Sequence, residues 1–127
     1  MLTKENRFRW LFYSSWLILL FVQAYFTELI DDEACYWFYS RKLSWGYFDH
    51  PPMIAIMIKA GYAIFKNELG VRLFSVITSF TSIFIIESLL AKKNFKLFAA
   101  IVSSILIAQL GGFLAVPDSP YLFFTTL

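Results

Sequence analysis

The chain has 127 residues, of which 59% are hydrophobic, 20% aromatic and 16% charged, with a net charge of +2. Soluble domains carry about a quarter charged residues, so water alone is excluded as the solvent for this surface. So small a charge, spread over dispersed basic residues, excludes a nucleic-acid partner, and the single cysteine, Cys35, excludes an internal disulfide, a CxxC pair and a cysteine-based metal cluster.

In chain order, Lys4, Arg7 and Arg9 border an apolar run from Phe8 to Leu29. A helix rises about 1.5 Å per residue and the hydrocarbon core is about 30 Å thick, so about 20 apolar residues cross it. The run is too long for the apolar part of a signal peptide and lacks a small-x-small cleavage site, which makes it a retained span. Two further runs of spanning length are Val71 to Ala91 and Leu97 to Val116, and a fourth opens at Tyr121 and stops at Leu127. A span that stops so early does not cross a bilayer, so the chain is expected to be part of a larger protein. With no repeat and no flexible linker, residues 1–127 read as one membrane unit: all-α and polytopic, with three full spans and a truncated fourth.

Between the first two spans lies a long loop. Ala34 to Leu43 lacks Gly and Pro, with Asp31 or Asp32 available as a cap, and an aromatic belt follows (Trp37, Phe38, Tyr39, Trp45, Tyr47, Phe48). That composition predicts an interfacial helix. Met53 to Phe65 is apolar but only about 13 residues long and carries Lys59 near its centre. If it lies flat, Lys4, Arg7 and Arg9 share the cytoplasmic side with Lys92, Lys93 and Lys96, as the positive-inside rule prefers, and Lys59 and Lys66 reach toward head groups. The N-terminus is then cytoplasmic, and Asp31, Asp32, Glu33, Asp49, His50 and Asp118 all fall on the opposite face.

Each polar cluster on that face has a plain structural role open to it. Asp31-Asp32-Glu33 can cap a helix and offset its dipole, Asp49-His50-Pro51-Pro52 can form a turn ahead of a helix, and Asp118 before Ser119-Pro120 can cap the next span. Arg72 and Glu68 suit head-group contact at a span end, Glu87 suits pairing with a lysine, and Cys35 suits interfacial packing. Three adjacent acids beside an aromatic surface nevertheless lose hydration at a cost, and a group-transfer reaction needs such a group to take a hydroxyl proton or hold a divalent cation. A histidine near a helix N-terminus can likewise donate to a phosphate oxygen.

Together, Asp32-Glu33-Ala34-x-Tyr36-Trp37, the string Trp45-Gly46-Tyr47-Phe48-Asp49-His50-Pro51-Pro52, Gly70-x-Arg72-Leu73 and Pro117-Asp118-x-Pro120 resemble the bacterial branch of the protein O-mannosyltransferase and lipid A aminoarabinose transferase superfamily. The resemblance runs from about Trp10 to Leu127. It implies a membrane glycosyltransferase of the C-type fold in the bacterial plasma membrane, taking a sugar from a polyprenyl-phosphate carrier to a protein, lipid or glycan acceptor. It also implies catalytic roles for Asp32, Glu33 and Asp118 and substrate-binding roles for His50, Asp49 and Tyr36, with Lys59 or Arg72 beside the leaving phosphate. Cys35 departs from the Tyr or Arg that relatives often carry there, and the family is several times longer, so this portion is expected to be inactive alone. Two other classes compete. A membrane scaffold predicts no loss on replacing Asp32, and a transporter predicts ionisable groups inside the spans, where Glu87 stands almost alone.

Overall fold

The computed structural model describes residues 3–48, 50–90, 94–105 and 111–127, and among these it holds six helices and no strand. They are α1 (Lys4–Phe26), α2 (Asp31–Arg41), α3 (Met53–Ile64), α4 (Glu68–Leu89), α5 (Phe95–Ser104) and α6 (Asp118–Thr126).

Helices α1 and α4 are antiparallel. Arg9, near the start of α1, pairs with Glu87 near the end of α4 at 3.5 Å, whereas Ala24, near the end of α1, accepts a hydrogen bond from Arg72 near the start of α4. The face of α1 that makes this contact is a stripe spaced three or four residues apart, Tyr13, Trp16, Leu20 and Ala24, which packs with Val76, Phe95, Phe98, Ala99, Val102 and Phe113. Its other face leaves Trp10, Leu11, Ile18, Val22 and Phe26 exposed, an apolar surface suited to lipid. Glu87 therefore pairs with an arginine of α1 instead of the expected lysine.

One end of the bundle gathers basic residues. Lys4, Glu5, Phe8, Asn94, Phe95 and Lys96 line a common cleft there, and Arg9 lies over the Phe95 ring. The N-terminal cations and Lys96 thus share an end; Lys92 and Lys93 lie outside the described residues.

The opposite end carries α2 and α3. Helix α2 turns by 81° from α1 across a break of four residues, so if α1 crosses a bilayer α2 runs close to its surface. Helix α3 packs on both α2 and α4. Gly61 of α3 and Gly70 of α4 permit this closeness, since a Cβ on Gly61 would overlap the Gly70 carbonyl oxygen. Replacing Gly61 with Ala is expected to cost roughly 1–3 kcal/mol, because the obstacle is backbone rather than a movable side chain; a loss of midpoint in a detergent unfolding titration measures it.

Several expected boundaries shift. The first span ends at Phe26 instead of Leu29, because Thr27 adopts an extended conformation and its carbonyl, like those of Ala24 and Glu28, is taken by Arg72. The third apolar run is not one continuous helix: α5 covers 10 residues, about 15 Å, and residues 112–117 are irregular. Ala115 there gives its N–H to Glu33 instead of a helical carbonyl. Among the described residues only α4 is by itself long and apolar enough to cross a membrane, with α1 meeting that standard only when joined to α2. The expected caps also differ, for Ile30 and Pro117 hold the N-cap positions, which leaves Asp31, Asp32 and Asp118 in first helical turns.

Candidate functional site

Glu33, Tyr36, His50 and Arg72 come together at the α2–α3 end. At their centre lies a buried ion pair between Glu33 and Arg72, each side chain 0% exposed. The Arg72 Nε donates to Glu33 Oε1 at 2.8 Å and Nη2 donates to Oε2, a bidentate fork. The remaining guanidinium N–H groups donate to the carbonyls of Ala24, Thr27 and Glu28, at 3.2 Å for Ala24 and 2.8 Å for Glu28. All five donors are used, which is what makes a charge tolerable in this apolar setting. A helix end leaves carbonyls without intrahelical partners, and Arg72 supplies partners for those that close α1.

Glu33 is equally occupied. Besides Arg72, its Oε2 accepts from the Ile30 N–H at 3.3 Å and its Oε1 from the Ala115 N–H at 2.8 Å. Helix α2 buries Glu33, Tyr36 and Ser40, one face at spacings of three and four, so the fold turns this acid inward. Neither Glu33 nor Arg72 reaches solvent, and no oxygen or N–H of the pair is left for a substrate. The head-group contact expected of Arg72 is thereby corrected: it sits inside the bundle because it has a carboxylate and three carbonyls there.

Asp32 precedes Glu33 in the same helical turn and is exposed. Side chains of adjacent helical residues point about 100° apart, so the two acids divide between solvent and core. Asp118, also exposed, opens α6 three residues after Ala115. The Glu33–Ala115 hydrogen bond spans 82 positions of sequence and holds the Asp32 and Asp118 segments at one end of the molecule.

His50 is half-buried against Tyr36. The Tyr36 hydroxyl and His50 Nε2 lie 3.1 Å apart, and the rings meet edge to face with centroids at 4.9 Å. Tyr36 is buried with Ile54, Ile58, Val71 and Ala115, so the imidazole rests on a fixed support. The loop before it is tied by Tyr47, stacked on Tyr39 at 4.3 Å, with its hydroxyl donating to the carbonyls of Tyr39 and Lys42. Asp49 lies outside the described residues. Lys59 is exposed on α3, in a groove with Trp37, Ser40, Arg41 and Tyr62. Among the described residues no group of three or more His, Cys, Asp or Glu side chains could hold a metal ion.

The Glu33–Arg72 pairing was not foreseen from the sequence, although two signals point to it. An arginine two residues into an apolar run needs a partner, and Glu33, Tyr36 and Ser40 share a helical stripe.

Three comparisons bear on this site. A family model described as dolichyl-phosphate-mannose-protein mannosyltransferase matches residues 49–127. A stretch of 34 residues is 53% identical to lipid A galacturonosyltransferase RgtD of Rhizobium johnstonii; it makes up 27% of this chain and 7% of that protein's length. No solved structure matches.

Proposed function

The chain belongs to the dolichyl-phosphate-mannose-protein mannosyltransferase family, and we propose that it forms the donor-side end of a membrane glycosyltransferase moving a sugar from a polyprenyl-phosphate carrier to an acceptor on the non-cytoplasmic face. The observation that carries this reading is the Glu33–Ala115 hydrogen bond, which keeps two solvent-facing acids, Asp32 and Asp118, at one end of the bundle. A transfer reaction needs a proton acceptor and a second polar station to orient its substrates.

In this mechanism the acceptor hydroxyl attacks the anomeric carbon, the bond from that carbon to the carrier phosphate oxygen breaks, and the configuration inverts. Asp32 takes the hydroxyl proton. His50, steadied by Tyr36, donates to the leaving phosphate, and Asp118 orients the bound partners. Glu33 and Arg72 serve as positioning residues that fix the turn presenting Asp32. The 34 matched residues make up only 7% of the Rhizobium relative's length, and the chain by itself is expected to be inactive. The name of the Rhizobium relative supports a glycolipid acceptor of the lipid A type.

Transfer is checked in membranes expressing the intact gene, supplied with a labelled polyprenyl-phosphate sugar. Label is expected in a glycolipid fraction; equal transfer from a nucleotide sugar in membranes depleted of polyprenyl carriers would overturn the donor assignment.

Orientation has its own probe in Cys35, exposed on α2. A membrane-impermeant maleimide is expected to label it in intact spheroplasts, and labelling only after permeabilisation would put α2 on the cytoplasmic side.

A further inference from the structure

On the flank of α2 and α3, the side chains of Trp37, Ser40, Arg41, Lys59 and Tyr62 line a groove of about 360 Å³. Its walls are aromatic: the Trp37 and Tyr62 rings meet at 5.7 Å with an interplanar angle of 67°, and the Arg41 guanidinium lies 5.5 Å over the Trp37 ring. Two cations line it and no acid does. Among the described residues the ion pairs are Arg9–Glu87 and Arg72–Glu33, so neither Arg41 nor Lys59 is neutralised by a carboxylate.

From this geometry we infer that the groove binds the phosphate of an anionic membrane lipid, with Arg41 and Lys59 as the phosphate ligands and Trp37 and Tyr62 flanking the head group. Charge complementarity selects the occupant, because two cations on the wall of one groove with no acid lining it favour an anion there. A guanidinium held on an aromatic face keeps its outward N–H groups directed at such an anion. The acyl chains would run along the exposed apolar side of α3, which presents Met53, Ile56 and Ile64, and past Phe65 just beyond it. The residues differ from the Asp32, His50 and Asp118 set, and the inference does not depend on glycosyl transfer. It needs only that α2 and α3 lie at the bilayer surface, so it can fail while the transferase reading stands, and the reverse.

The test uses the purified chain in mild detergent, equilibrated with equal amounts of phosphatidylglycerol and phosphatidylcholine, with retained lipid counted by mass spectrometry. Wild type is expected to hold phosphatidylglycerol in about 25-fold preference, since each of the two cations contributes about a factor of five near a lipid surface. The Arg41→Gln/Lys59→Gln variant should retain less than a twofold preference, and Lys66→Gln, an exposed lysine outside the groove, should keep that of wild type. If the double variant does not fold, Lys59→Glu alone carries the same expectation. Equal retention of the two lipids, an unchanged preference in the groove variants, or an equal loss in Lys66→Gln would each overturn the site. Displacement of phosphatidylglycerol by 1 mM inorganic phosphate, on the order of physiological substrate levels, would reassign the groove to a free anion and so overturn the lipid as its ligand.

Discussion

Arg72→Ala is expected to destabilise the bundle by about 3–5 kcal/mol, the penalty for leaving one half of a buried ion pair without its partner. The loss reaches beyond the pair. Removing the guanidinium also strips the carbonyls of Ala24, Thr27 and Glu28 of their donor, so the end of α1 and the turn into α2 loosen together. Arg72→Lys should recover little, because an ammonium is a point charge and cannot reach a carboxylate and three carbonyls at once. Many buried ion pairs can be exchanged for apolar residues at no cost. Here Arg72→Met/Glu33→Met is expected to stay at least 2 kcal/mol below wild type, roughly one to two backbone groups' worth of unmet hydrogen bonding, since the N–H groups of Ile30 and Ala115 also lose their acceptor. Equilibrium unfolding in mixed micelles reads these differences, and a double variant as stable as wild type would show that the backbone contacts contribute little.

The second large effect separates neighbours in sequence. Asp32→Asn is expected to lower transfer by a factor of about 10² to 10⁴, the usual contribution of a positioned general base, while changing stability by less than about 1 kcal/mol, the scale of a carboxylate in an exposed first helical turn. Glu33→Gln should lower stability and transfer together, because the neutral amide weakens the fork to Arg72 and places an NH₂ group where Ile30 or Ala115 needs an acceptor. Measuring transfer per folded molecule resolves the two. Glu33→Gln then retains most of its activity and Asp32→Asn does not; the opposite split would exchange their roles.

Much of this arrangement is legible without coordinates. Apolar runs near 20 residues locate α1 and α4, the short run carrying Lys59 becomes α3 over Met53–Ile64, and the Gly-free stretch after the acids becomes α2. These features are local. Helix type follows from the spacing of apolar side chains, and the clustering of Lys4, Arg9 and Lys96 at one end follows from counting the helices between them.

What the local pattern does not contain is which of two adjacent acids faces inward, where α1 stops, and that the third apolar run gives way after Ser104. Each of these is decided by a partner far away in sequence: Glu33 and Arg72 are 39 positions apart, and Glu33 and Ala115 are 82. A buried charge must be satisfied by whatever donors and acceptors the packed helices bring to it. The sequence by itself determined the all-helical class, the positions of α1 to α4 and the motif set. The tertiary structure alone decided that Glu33 holds the frame while Asp32 faces solvent, because desolvation penalises an unpaired charge and only the assembled bundle supplies the pair.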